Sequence, residues 1–460
     1  MTDPTTDVPG ELPTEVADPS RRQFFRQFAG ELVTSAAQVV GAVTELRDRS
    51  ASEAAVLLGE PVAATDASAA ASGDEPAGAP TGFRTPFRFE SDNVLLVIDQ
   101  RKLPDALVEV PVRSASDAAN AIRLMIVRGA PAIGQVAAIG LALTGGITAK
   151  SQAHARRAIL EGAANILRGA RPTAVNLRWA VERLMARYHA IGALSTDGEA
   201  IAKALHDEAM AIVAEATDDH GRLADAGLAI LPETADRPIR ILTHCNTGPL
   251  ACGQFGTALG VVQAAHTAER PVHVWVDETR PYLQGARLTA WELKQAGVPH
   301  TLLPDMAAGP LMAAGEVDVI LVGADRVAAN GDTANKLGTY TLAVLAARHG
   351  VPFIVCAPLS SVDLATADGA AIPIEDRPGV EVSEIRGLRI APEGTAVRNP
   401  SFDVTPAELI TAIVTEEGAL RAPYGQALRA AMDRRDARRP ERAMAPAPPV
   451  APAEHAPVAS

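Results

Sequence analysis

An apolar run at residues 239–243 leads directly into Thr243-His244-Cys245-Asn246-Thr247-Gly248, and another at 317–322 leads into Gly323-Ala324-Asp325-Arg326. If both runs are strands of one sheet, they deliver a thiol and a carboxyl group to the same edge. A thiolate is a base or nucleophile, and an aspartic acid held in a dry pocket is a general acid. Asp277-Glu278-Thr279-Arg280 and Gln284 follow the run at 272–276. Asn330-Gly331-Asp332 and Asn335-Lys336 come after Asp325 and are read as opening the next helix, so polar residues crowd one rim. Each has a plainer reading. A cysteine after a strand serves equally as a small buried filler, which is how Cys252 and Cys356 are read. Asp325 serves equally as a helix cap or as the partner of Arg326.

Phosphate is the natural ligand of other segments. Arg128-Gly129-Ala130-Pro131-Ala132-Ile133-Gly134 places a cation and free backbone N–H groups at a helix start, where dipole and donors both favour an anion. Pro131 suits the first helical turn. Asn335-Lys336 offers a second set of donors, and Arg171, just before Pro172, a third. Neither GxGxxG nor GxxxxGK[ST] follows a strand, so dinucleotide and nucleoside triphosphate sites lack their usual loops.

These residues need elements to hold them. Apolar runs at 239–243, 272–276, 300–303, 317–322 and 352–356 alternate with helix-length segments. That pattern predicts right-handed crossovers and a doubly wound parallel sheet, a Rossmann-like domain over 233–425. Ligands of such sheets sit beyond the carboxyl ends of the strands. Residues 86–232 read as a mainly helical N-terminal domain carrying a small β-hairpin, Val94 to Asp99 and Ala106 to Val112. Within it, Ser116 is placed as the cap of a helix through Val127, and Leu177, Val181, Leu184 and Tyr188 repeat at helical spacing. The fold class is α/β.

A length of 460 residues suits two or three units, and 47% apolar residues can fill their cores. Lys plus Arg number 42 against 55 Asp plus Glu, and 42 − 55 = −13 argues against a nucleic-acid or acidic-membrane surface. Three cysteines without a CxxC pair support neither a disulfide framework nor a thiolate zinc cage. No stretch approaches the roughly 20 uninterrupted apolar residues of a membrane span. Residues 1–58 read as an extension with one amphipathic helix, in which Phe25, Leu32, Val39 and Leu46 recur every seven residues; it packs on its own body or docks an unknown partner. Residues 59–85 read as a flexible linker and 426–460 as a disordered tail. Ser20-Arg21-Arg22-Gln23-Phe24-Phe25 looks like a twin-arginine export signal, yet Glu31 and Gln38 interrupt its apolar core, so the expected location is the cytoplasm.

From Asp99 to Tyr424 the chain resembles the methylthioribose-1-phosphate isomerases, a family in one superfamily with the regulatory subunits of the eukaryotic initiation-factor guanine-exchange complex. The likeness rests on Asp99-Gln100-Arg101-Lys102-Leu103-Pro104, Val127 to Gly134, Arg171 to Leu177, Val276 to Pro281, Gln284-Gly285-Ala286-Arg287, Gly323 to Asp332 and Asn335 to Tyr340. It implies Asp325 as proton donor and Cys245 as the second catalytic residue. It implies substrate contacts from Arg128, Gly129, Ala130, Arg171, Gln284, Asn335 and Lys336, a homodimer, no cofactor and no metal. Pro249, Cys252 and Ser360-Ser361 depart modestly from the family pattern. The implied activity is conversion of 5-methylthioribose 1-phosphate to the ketose in methionine salvage. Rival readings are isomerisation of ribose 1,5-bisphosphate or 5-deoxyribose 1-phosphate, and a non-catalytic regulatory or binding protein.

Overall fold

Short Val, Ile and Leu runs bounded by turn residues satisfy both their backbone groups and their apolar faces as parallel strands covered on both sides. The computed structural model of the chain describes residues 85–171, 174–192 and 195–444. The expected N-terminal helix, the expected linker up to residue 84, the twin-arginine segment and residues 445–460 lie outside the described residues.

The described chain opens on three antiparallel strands, β1 (Phe87–Ser91), β2 (Val94–Ile98) and β3 (Glu109–Val112). The expected hairpin is β2 with β3. The additional strand, β1, follows directly on linker-like sequence, and only its Phe87 and Phe89 alternate with polar neighbours. Five helices follow, Ala115–Arg123, Ala130–Ile147, Ala153–Arg168, Val175–Ile191 and Gly198–Leu228. The first is capped by Ser114, which accepts from the Asp117 N–H at 3.2 Å, and not by Ser116; Ala115 and Ala118 need the buried face, and that sets where the helix starts. Ala130–Ile147 is long and apolar enough to cross a membrane, yet 83% of it is buried, and it packs against Val175–Ile191 and Gly198–Leu228. Leu177, Val181, Leu184 and Tyr188 all face inward, as their spacing predicts.

The central sheet takes β4 (Ile239–Thr243), β5 (Val272–Asp277), β6 (His300–Leu303) and β7 (Val319–Val322). An excursion follows through β8 (Arg326–Ala328) and β9 (Thr333–Lys336) before β10 (Phe353–Cys356) returns to the sheet. A second excursion contains β11 (Val362–Asp363), β12 (Glu384–Ile385), β13 (Leu388–Arg389) and β14 (Phe402–Thr405), and the sheet ends with β15 (Ala412–Thr415) and β16 (Gly418–Leu420). Seven strands lie in the order β16-β15-β10-β7-β4-β5-β6, all parallel except β16. The chain starts in the middle at β4, runs outward through β5 and β6, and then restarts on the other side at β7. The point where direction reverses therefore lies between β4 and β7. The long helix Gly198–Leu228 packs on the helix Ala258–Thr267 and on β15, which joins the helical layer to the sheet.

Two expectations are corrected here. Asn335-Lys336 do not open a helix: they end β9, because Asn330-Gly331-Asp332 makes a hairpin turn in which the Asp332 N–H donates to Asn330 Oδ1 at 2.9 Å and Gly331 takes φ 95°. The helix begins only at Thr339. The tail is not disordered from 426, since Tyr424–Met444 is a helix. Its Arg-rich sequence hides Tyr424, Leu428 and Ala431, which share one face and are buried in the core around β7 and β10, while Arg434 and Arg438 pair with Glu417.

Candidate active site at the sheet switch point

Where strand order reverses, the loops after two neighbouring strands part and leave a crevice. Cys245 follows β4 and Asp325 follows β7, so topology alone brings the thiol and the carboxyl to one place. A cleft of about 850 Å³, measured to its open mouth, is lined by Arg128, Gly129, Ala130, Arg171, Cys245, Gln284, Asp325, Asn335 and Lys336, the nine residues that the resemblance implies, whereas Asp277 to Arg280 and Asn330 to Asp332 of the same rim do not line it.

The cysteine loop is held rigidly. Cys245 is 8% exposed and adopts φ 66°, a left-handed conformation that non-glycine residues seldom take. Such a position, worth about 1–3 kcal/mol of strain, persists only when its surroundings over-determine it. Here the Cys245 N–H donates to Thr279 Oγ1 at 2.8 Å, and its carbonyl accepts from Thr289 Oγ1 at 2.6 Å. Thr289 ends a π-helical turn, Gly285–Thr289, that begins next to Gln284; such turns are frequent at functional sites. The buried Glu292 accepts from Asn246 Nδ2 at 2.5 Å and from the Leu250 N–H at 2.7 Å, and burial pushes its carboxyl up to about 7. The helix after Cys245 is a single turn of four residues, Pro249–Cys252. Cys252 also lines the cleft, but burial pushes its thiol up to about 12, as it does for Cys356. Both are kept as neutral packing groups.

Opposite this loop stands a cluster of cations. Arg128 is 6% exposed, and its Nε and Nη2 find no hydrogen-bond partner among the described residues. Unpaired guanidinium donors in the interior are rare and await an acceptor. Gly129 makes the approach possible: at its φ of 95°, a Cβ would lie 2.2 Å from the Ala251 carbonyl oxygen. Gln284 Oε1 is likewise buried without a partner. Lys336 donates to the Ser401 carbonyl at 2.7 Å and lies 4.7 Å from the Phe402 ring centroid; burial lowers its pKa against the opposing pull of Cys245 and Asp325. Asn335 Nδ2 is held by Thr339 Oγ1 at 3.0 Å. Burial also lowers Arg171 and raises Asp325, the latter against the nearby charges of Lys336, Arg171 and Arg128. The cleft therefore offers an acid that resists ionisation, a thiol and several cations in one enclosure.

The sequence did not point to one wall. Tyr282, Arg377, Glu381 and Asn399 through Phe402 also line the cleft. Arg377 is tied to Glu381, and Asn399 Nδ2 donates to Glu381 Oε2 at 3.1 Å. The charged Arg377 followed by Pro378 in an irregular stretch was the available signal. Among the described residues, His244, Asp277 and Asp305 bring potential metal-ligand atoms within 4.8 Å of one another. Asp305 already accepts from the Thr279 and Arg280 N–H groups, both at 2.7 Å, and the His244 ring is bonded on both sides, so these groups form a hydrogen-bonded hub.

A doubly wound sheet with a thiol, a carboxyl and a cluster of cations at its switch point defines a class, an α/β protein built to hold and rearrange a small phosphorylated molecule. Residues 126–422 match the Initiation factor 2 subunit family. A methylthioribose-1-phosphate isomerase of Desulforudis audaxviator is 53% identical over 343 residues, 74% of this chain and 96% of that protein. Its counterpart from Chloroflexus aurantiacus is 51% identical over 341 residues, with coverage of 74% and 96%. The crystal structure of 5-methylthioribose 1-phosphate isomerase from Pyrococcus horikoshii superposes with a TM-score of 0.71 at 40% identity, covering 77% of this chain and 97% of that one. That of the translation initiation factor eIF-2B, subunit delta, from A. fulgidus superposes with a TM-score of 0.67 at 34% identity, covering 77% and 100%. The chain belongs to the methylthioribose-1-phosphate isomerase family.

Proposed function

We infer that this chain converts 5-methylthioribose 1-phosphate to 5-methylthioribulose 1-phosphate, the aldose–ketose step of methionine salvage. The observation that carries the reading is the convergence of Cys245 and Asp325, with the unpaired guanidinium of Arg128, on one cleft at the sheet switch point. The substrate is a furanose locked at its anomeric carbon by phosphate, with no free aldehyde to enolise. Its ring must open while phosphate stays attached. Asp325 gives a proton to the ring oxygen as the bond to carbon 1 breaks. Hydrogen then moves from carbon 2 to carbon 1 as the carbon 2 hydroxyl gives up its proton and becomes the ketone; that proton replaces the one Asp325 gave, so none is gained or lost overall. Cys245 faces carbon 2, either removing its hydrogen as a proton or stabilising charge while hydride shifts. Deuterium from solvent at carbon 1 of the product favours the proton route; its complete absence counts against that route.

Arg128 and Lys336 hold the phosphate, helped by Arg171 and by backbone N–H groups at Gly129 and Ala130, while Gln284 and Asn335 orient hydroxyls. Arg128→Lys keeps the charge and loses the planar fork. Steady-state kinetics are expected to show KM raised about tenfold, ~1.4 kcal/mol, with kcat within a few fold, as for a contact made equally in ground and transition states. An unchanged KM removes Arg128 from the phosphate site.

The pH dependence follows from Asp325. Burial raises it, so the protonated form survives above the usual carboxylate range and is lost as pH rises through its folded value. kcat/KM is expected to fall along that alkaline limb, and to do so with a slope of one proton. A limb unmoved in Asp325→Glu would assign it to another group.

The same reading makes the enzyme a cytoplasmic homodimer; Cys245, Cys252 and Cys356 are free thiols, which suits a reducing compartment. Turnover of 5-methylthioribose 1-phosphate, ribose 1,5-bisphosphate and 5-deoxyribose 1-phosphate, measured side by side under reducing conditions, tests the substrate. The thioether sugar should have the highest kcat/KM. Faster turnover of another sugar replaces the substrate, and no turnover of any of them moves the chain to the binding-protein reading.

A further inference from the structure

His244 has no role in the chemistry above, yet it is 1% exposed and adjoins Cys245. Its ring bridges two loops of the cleft. Nδ1 lies 3.0 Å from Asp277 Oδ2 at the end of β5, and Nε2 lies 2.8 Å from the Leu337 carbonyl, the residue after Lys336. A carbonyl has no proton to give, so Nε2 carries hydrogen and donates. The proton on the other side is shared with Asp277. Gly338 closes over the ring: at its φ of 109°, a Cβ would lie 2.8 Å from Cε1, so nothing larger than glycine lets the loop sit there.

The surroundings repeat the pattern. Asp403 on β14 accepts from the Gly338 and Tyr340 N–H groups at 2.7 and 3.1 Å and feels the His244 charge. Asp305, after β6, also faces His244 and holds the Thr279 backbone, whose hydroxyl accepts from the Cys245 N–H. Asp277, Asp305 and Asp403 thus all present carboxylates to the ring. Burial works against the imidazolium, and the hydrogen bond and charge of Asp277 outweigh it. Cys245 directly follows the residue that carries the ring, and Lys336 directly precedes the Leu337 carbonyl that the ring holds; both line the cleft.

We propose that His244 is a positioning residue, a buried tie between Asp277 and the Leu337 carbonyl that fixes the Cys245 thiol against the Lys336 ammonium. This rests on the functional reading above. A misplacement of about 1 Å between reacting groups costs about 100-fold in rate, and the tie works at that scale.

The test uses the purified full chain with His244→Gln, which keeps one donor, His244→Ala, which keeps none, and Asp277→Asn. kcat per titrated Cys245 is expected to fall about 100-fold in His244→Ala and less in His244→Gln, with KM changed less than about threefold. The pH profile of Cys245 alkylation by iodoacetamide should shift in all three variants. A merely structural role would lower melting temperature and leave kcat per active site and the alkylation profile at wild-type values, which overturns the proposal. If the wild type fails to turn over the sugar phosphate, the functional reading falls, while the alkylation profiles still decide this inference. Should the variants not fold, ¹⁵N shifts of the wild-type His244 ring decide it: a proton on Nε2 throughout pH 6–8 supports the tie, and a bare Nε2 overturns it.

Discussion

Replacing Asp325 by asparagine is expected to lower kcat by about 100- to 10,000-fold, the range spanned by positioned general acids, while KM changes little. The amide keeps the shape of the carboxyl and can hydrogen-bond to a ring oxygen, but it has no proton to give. The effect should therefore fall on the transition state and leave ground-state binding intact. The contrast with Arg128→Lys is diagnostic: one variant binds and does not turn over, the other turns over and binds poorly. Asp325 sits where this role requires. Its carboxyl faces the enclosed cleft, where burial raises its pKa despite three cations close enough to pull the other way. With phosphate bound, those cations are neutralised, and the balance moves further toward the protonated acid. Equal loss in kcat and in affinity would make Asp325 a structural residue.

Cys245→Ser is expected to lower kcat by about 100- to 1,000-fold, the size seen when a group that stabilises developing charge is removed. Serine is nearly isosteric but is a far weaker acid and less polarisable than the thiol, so both routes at carbon 2 suffer. The companion measurement is chemical. Cys252 and Cys356 are buried with thiols pushed up to about 12, so iodoacetamide should label the native chain once, at Cys245, and abolish turnover in step with labelling. The substrate should protect against it. Labelling of Cys252 with loss of activity, and none at Cys245, would reverse the assignment of the two cleft thiols.

The parts of this site that could be read in the sequence are those delivered by strands. Apolar runs of four to six residues predict β4, β5, β6, β7 and β10, and the residues at their ends fall on one rim because parallel strands all point the same way. Arg128 was legible through the glycine and proline beside it, which mark a helix start. The excursions were not. β8, β9 and β11 have two to four residues each, too short to show a period, and their polar content serves the cleft. The wall at Asn399 to Phe402 is placed by pairing of β14 with β9, Phe402 opposite Lys336 and Asp403 opposite Asn335, a long-range partnership that no local pattern announces. The helix Tyr424–Met444 was hidden because its arginines outnumber its anchors, although Leu428 and Ala431 are fully buried. The resemblance implied the roles proposed for Asp325 and Cys245; topology supplies the physical reason they share one cleft.

That meeting is the central claim, and it is tested most directly by following 5-methylthioribose 1-phosphate with the purified, thiol-reduced chain by ³¹P and ¹³C NMR, in parallel with Asp325→Asn and Cys245→Ser. The account predicts a new ketone carbon with phosphate still esterified at carbon 1 in the wild type, and unchanged substrate in both variants on the same timescale. Release of inorganic phosphate, no reaction in the wild type, or turnover by both variants at the wild-type rate would contradict it.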